Sequence, residues 1–212
     1  MADLQKLHDA ILSGDAKTAA AAAQEALGQK VPPIELVQHA MVPAMDEVGR
    51  RFECQDYFVP ELLLSARAMK AALELLRPLL AASGAQPAGT MVIGTVQGDL
   101  HDIGKNLVAA LLEGGGFEVI DLGADVAPEK FVETVQRTRA NIVCLSALLT
   151  TTMRAMGHTV QALQEAGLRD QVKIMVGGAP VDAEFASRIG ADGYGSNAPA
   201  GAELAKRFAG IA

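Results

Sequence analysis

The chain has 212 residues, half of them apolar, with 25 Asp and Glu against 18 Lys and Arg. That length holds one large domain or two small ones, and the apolar share is enough for a buried core. The acidic balance, with no basic cluster, argues against a nucleic-acid partner.

Up to about residue 88 the pattern is helical. Asp3 can cap a first helix carrying Leu4, Leu7 and Ile11 on one face, Gly14 ends it, and Asp15 caps an alanine-rich second helix. Gly28 and the pair Pro32 and Pro33 precede a third helical stretch, with Ile34, Val37, Met41, Met45 and Val48 at helical spacing. Pro43 must kink or restart it, because proline lacks the amide that a helix interior needs. After a turn around Gln55 and Asp56, Pro60 is placed to open a long fourth helix. Four amphipathic helices imply a bundle, giving an all-α domain over residues 1–88.

Residues 83–89 are small, polar and rich in turn formers, which marks a boundary and a hinge. Over 89–212 the rhythm changes to apolar runs at 90–96, 117–123, 142–148, 172–178 and 191–195, separated by helical stretches at 106–115, 128–139 and 153–166. Apolar strands alternating with helices imply a doubly wound α/β domain, a five-stranded parallel sheet in flavodoxin-like order. No apolar run reaches the roughly 18 residues that cross a bilayer, so the reading is a soluble, cytoplasmic protein. Cys54 and Cys144 stand in different regions without paired spacing, and are read as reduced bystanders.

In such a sheet ligands settle beyond the carboxyl ends of the strands. Three of those ends are unusual: 98–106 after the first strand, 146–152 at the third, and 177–180 after the fourth. His101 stands in the first, flanked by Asp99 and Asp102 and immediately before a helix that begins near Ile103 or Gly104. A metal-binding histidine usually gives its second ring N–H to a carboxylate, a role open to Asp99.

Several readings of this loop compete. A surface histidine beside an acid is common. A phosphate loop is a second reading, but five residues rather than four separate Gly98 from Gly104, Asn106 replaces the magnesium-holding hydroxyl, and two aspartates would face the phosphates. A zinc or iron site wants about three protein ligands, and His8, His39 and His158 share no ligand spacing.

The spacing Asp99-x-His101-x-x-Gly104, then 41 residues to Ser146-x-Leu148, then 28 residues to Gly177-Gly178, resembles the signature of cobalamin-binding domains of the methionine synthase and corrinoid methyltransferase class. The first half is similar too, since residues 43–52 and 57–78 look like the helical cap of that class. The resemblance implies a cobalamin or related corrinoid bound base-off, with His101 as lower axial ligand to cobalt and the nucleotide tail in a deep slot. Gly104, Gly177 and Gly178 match its glycines, Ser146 the residue that hydrogen-bonds the tail, Leu148 an apolar neighbour, and Thr150 a further polar contact. Thr152 matches a hydroxyl, most often Ser in methionine synthase, that accepts or relays the Asp99 proton in a His101, Asp99, Thr152 chain. Phe52, Val59 and Leu62 match cap positions over the methyl group.

The same resemblance implies a carrier that is not a catalyst alone. It would take methyl from a substrate-specific methyltransferase and yield it to a second one, dependent on tetrahydrofolate or a thiol, alternating between cob(I)alamin and methylcobalamin, with a reductive activase as a further partner. A cobalamin-responsive regulatory module, a B12-dependent mutase subunit and a bare nucleotide-binding domain are the alternatives. The first usually adds a DNA-binding segment and the second lacks the cap.

Overall fold

The computed structural model describes residues 4–83 and 86–211. Asp3, expected to cap the first helix, and Gly84 and Ala85 of the expected hinge lie outside the described residues. Contacts divide the chain into two compact units, Met1–Pro87 with Glu113–Gly116, and Ala88–Leu112 with Phe117–Ala212.

The first unit is helical. Helix α1 (Leu4–Leu12) buries Leu7, Ala10 and Ile11, and α2 (Ala16–Gly28) starts where the Asp15 carboxylate accepts the Thr18 N–H at 3.0 Å. The buried face of α2 is Ala19, Ala22, Ala23 and Ala26, small enough for a close approach to α5 (Val59–Ser83), its most extensive neighbour. Gly14, at φ 75°, makes the turn between α1 and α2, and a Cβ there would come within 2.6 Å of the Leu64 Cβ. At the end of α1 the Leu12 carbonyl accepts the Tyr57 and Ser65 hydroxyls at 3.0 and 3.1 Å, which satisfies an oxygen the helix leaves free.

The third helical stretch runs on through Pro43 without a break. Helix α3 (Pro33–Leu36) runs through a π turn (Val37–Met41) into α4 (Val42–Glu53). The Val42 N–H reaches back five residues to the Val37 carbonyl, and this widened turn admits the Pro43 ring at the start of α4. Val37, Met41, Met45 and Val48 are buried, but Ile34 is exposed because it precedes the π turn and falls outside their face. Pro60 lies in the first turn of α5, as expected, and the helix continues past Pro78.

The second unit is a five-stranded parallel sheet of β1 (Thr90–Thr95), β2 (Glu118–Asp121), β3 (Ile142–Ser146), β4 (Lys173–Gly177) and β5 (Gly193–Gly195), in the order β2-β1-β3-β4-β5. Helices α6 (Ile103–Gly114), α7 (Pro128–Thr138), α8 (Met153–Glu165), α9 (Ala183–Arg188) and α10 (Ala198–Ala209) connect or follow the strands. On one face Val92, Val143, Leu145 and Ile174 pack with Phe131 of α7, Met156 and Leu163 of α8 and Phe185 of α9. Burying each large apolar side chain there contributes about 1.5–3 kcal/mol. On the other face Gly201 of α10 lies near Met175 of β4 and Val108 of α6. The sequence pattern had not marked α9 and α10. The register aligns Thr95, Ser146, Gly177 and Gly195 in one row at the carboxyl edge of four strands.

Candidate functional site

The chain leaves β1 in a tight loop that points His101 outward. Val96 N–H donates to the Ser146 carbonyl at 3.0 Å, extending the edge by one residue, and Gly98 turns through φ 86°. The Thr95 hydroxyl donates to the His101 carbonyl at 3.0 Å, pinning the far side of the loop before α6 begins.

Asp99 is the hub. It has no exposed surface, and its two carboxylate oxygens take five hydrogen bonds. Oδ1 accepts the His101 amide at 3.0 Å and faces His101 Nδ1 at 2.7 Å. Oδ2 accepts the Leu148 and Leu149 amides at 2.8 and 3.2 Å and the Thr152 hydroxyl at 2.7 Å. Burial alone would push the carboxyl up; the Thr152 hydroxyl, the His101 and Leu148 amides and the His101 ring outweigh it and hold Asp99 well below the usual carboxylate range. An ionised carboxylate can only accept, so the proton of the His101 pair sits on Nδ1, and Nε2 is the ring nitrogen left for a ligand. The Thr152 hydroxyl likewise donates to Asp99 rather than accepting from it, and it also stands 2.8 Å from the Leu149 carbonyl.

Thus His101, Asp99 and Thr152, distant in sequence, form one hydrogen-bonded chain, and the Leu148 backbone joins it. The His101 side chain is 51% exposed, so the free ring nitrogen faces outward. This arrangement suits a metal that arrives in its own macrocycle: one imidazole nitrogen available to it, oriented by a buried charge. Among the described residues no group of three or more His, Cys, Asp and Glu could hold a bare metal ion.

The other expected contacts line the same edge. Ser146 ends β3 half-buried, while Leu148 and Thr150 are exposed in the loop after it. Gly104 is exposed, with open space where a Cβ would stand. Gly178 adopts φ 130°, and a Cβ there would meet the Ala147 carbonyl oxygen at 1.8 Å. Its glycine is therefore required by the strand edge itself as well as by any ligand. Of the expected cap residues in the first unit, Phe52 and Val59 are half-buried and Leu62 has no exposed surface, whereas Phe58 beside them is 62% exposed.

The sequence reading passed over two features and met a third, Lys105, only as part of the phosphate-loop alternative. Leu100 and Ile103, either side of His101, are 76% and 70% exposed, and Leu149 joins them as an apolar residue at the same edge. Lys105 is buried, its Nζ 2.5 Å from Asp121 Oδ2 and 2.6 Å from Asn106 Oδ1. A phosphate loop needs that amine free to reach its ligand, and here it is committed to the end of β2. Asp125, in the loop after β2, bonds the His101 loop from outside. The only sequence signal for the last two was their place after a strand's carboxyl end. Cys144 is buried in β3, where burial pushes its thiol up to about 12, leaving it inert.

Two family models, each described as a B12 binding domain, match residues 89–203 and 3–77. The chain belongs to the cobalamin-binding corrinoid proteins. This corrinoid protein is 44% identical to trimethylamine corrinoid protein 1 of Methanosarcina acetivorans, over 92% of this chain and 91% of that protein. A solved cobalamin-binding protein from Desulfitobacterium hafniense is similar at TM-score 0.79 and 34% identity, covering 98% of this chain and 99% of that one. A chain of the methanol:cobalamin methyltransferase complex of Methanosarcina barkeri is similar at TM-score 0.86 and 32% identity, covering 99% of this chain and 80% of that one. The family is one of corrinoid proteins of methyltransferase systems, and its cofactor is cobalamin or a related corrinoid. Among the described residues no helix is long and apolar enough to cross a membrane.

Proposed function

We propose that this corrinoid protein is a methyl carrier, taking methyl from a substrate-specific methyltransferase and yielding it to a second methyltransferase, with its corrinoid held base-off and His101 on cobalt. Bound there, the corrinoid would supply the cobalt chemistry that takes up and gives off a methyl group. The observation that carries the reading is the His101 ring, fixed at Nδ1 by a buried, ionised Asp99 and free at Nε2.

The chain's own residues then govern that ligand. With the lower position filled, His101 is neutral and its Nδ1–H donates to Asp99. When the ring is released, Asp99, which five donors keep ionised, still holds the Nδ1–H. Thr152 stays a donor in both states, so the proton resides on the ring. Ser146, Leu148, Thr150, Gly104, Gly177 and Gly178 are the residues we assign to the displaced tail and lower face. Phe52 and Val59 are those we assign to apolar cover of the methyl group; Leu62, expected beside them, has no exposed surface for that task, and Phe58 has more.

Relatives named for different donors share this architecture, so donor choice belongs to the partner methyltransferase. A reductive activase would restore Co(I) after oxidation. The reading is tested by reconstituting the protein with hydroxocobalamin, reducing it and adding methyl iodide, then a thiol. A light-sensitive methyl-cobalt spectrum that the thiol discharges supports a carrier; a protein that binds corrinoid yet cannot be methylated argues against one.

A further inference from the structure

The loop that presents His101 is gripped by a residue outside every motif of the sequence. Asp125 has φ 56°, in the left-handed region where non-glycine residues are uncommon and Asp and Asn are best tolerated. In that conformation its amide and its carboxylate reach the same stretch of chain. Asp125 N–H donates to the Asp99 carbonyl at 2.9 Å, and Asp125 Oδ1 accepts the Gly98 N–H at 2.7 Å. One residue therefore holds the Gly98–Asp99 dipeptide at both ends.

The grip is backed on either side. Thr95 N–H donates to the Gly123 carbonyl at 2.9 Å, and Val126 N–H to the Thr95 carbonyl at 3.0 Å. From its own loop, the Asp99 main chain is held by its N–H on the Val96 carbonyl at 3.1 Å. That bond holds one end of the Asp99 main chain and Asp125 the other, and turning the residue between them would swing the carboxylate that orients the imidazole.

We propose that Asp125 is a positioning residue for the Asp99–His101 pair: from the loop after β2 it fixes the Asp99 main chain, and so the direction and tautomer of the His101 ring. Its consequence for cobalt ligation rests on the carrier reading above, while its effect on the ring is a property of the protein alone.

Asp125→Asn and Asp125→Gly separate the causes, because both replacements accept left-handed φ and they differ in whether an acceptor remains for Gly98. Nitrogen NMR of the His101 ring in the cofactor-free protein reads the tautomer. The visible spectrum after reconstitution with hydroxocobalamin reads ligation, and the thermal midpoint reads stability. Asp125→Asn is expected to keep the Nδ1–H tautomer and ligation. Asp125→Gly is expected to mix tautomers and to lower the imidazole-bound fraction about threefold, as loss of one net hydrogen bond implies. A glycine variant with the parent tautomer, or one that only melts earlier, overturns the proposal, as does equal loss in both variants. If the parent protein shows the tautomer but never ligates cobalt, the carrier reading fails while the tautomer comparison still decides the role of Asp125.

Discussion

His101 Nδ1 lies 2.7 Å from an oxygen of Asp99, a carboxylate with no exposed surface. The pair is asymmetric: the ring is half in solvent, and its partner is enclosed and over-supplied with donors. Energetically this makes Asp99 the fixed member and His101 the adjustable one. Breaking a buried, hydrogen-bonded charge costs several kcal/mol, whereas turning or protonating an exposed ring costs far less.

Asp99→Asn exploits that asymmetry. An amide has one acceptor oxygen and one donor group, so donors now pointing at one carboxylate oxygen would face an NH2. The variant is expected to lose about 2–3 kcal/mol of stability near neutral pH, read by urea denaturation. Because the folded carboxyl is held below its unfolded value of about 3.9, the stabilisation is present above that value and fades as pH falls through it toward the folded one. The gap between parent and variant should therefore narrow below about pH 4, and a constant gap would contradict the assignment.

Thr152→Ala removes one donor from Asp99, and Thr152→Ser keeps it. The alanine variant is expected to be less stable by about 1–2 kcal/mol, with the serine variant much closer to the parent. Equal losses would mean that the methyl group, not the hydroxyl, matters at this buried position.

Leu100 and Ile103 are too exposed to stabilise the fold appreciably, so their value must come from what they meet. Replacing both with Ser should leave the urea midpoint nearly unchanged, within about 0.5 kcal/mol, and weaken corrinoid retention about tenfold or more, measured by equilibrium dialysis. Unaltered retention would remove them from the site.

Gly178→Ala places a Cβ against the Ala147 carbonyl in a backbone conformation alien to alanine. A loss of about 3 kcal/mol or more is expected from thermal or urea unfolding. A variant as stable as the parent would show that the β4 edge relaxes more readily than its geometry allows.

The strands and the order of the sheet were legible because buried parallel strands are written as apolar runs. The hydrogen-bonded set of His101, Asp99 and Thr152 was named through the resemblance to the cobalamin-binding signature, with strand ends showing only where to look. Other parts of the site leave no such trace. The Leu148 and Leu149 amides that hold Asp99 are backbone donors, indifferent to side-chain identity. Asp125 acts through a left-handed conformation that only the folded loop imposes, and Lys105 reads as a surface cation until Asp121 is seen beside it. The π turn before Pro43 is likewise a response to packing, since Met41 and Met45 must both stay inside while the proline needs room.

The most direct test is electron paramagnetic resonance of the reconstituted protein in the Co(II) state, made with ordinary and with heavy-nitrogen histidine, beside His101→Ala. A nitrogen splitting that changes with the labelled histidine and vanishes in the variant is the expected result. A splitting indifferent to the label, from the cofactor's own base, would contradict the placement of His101 beneath cobalt.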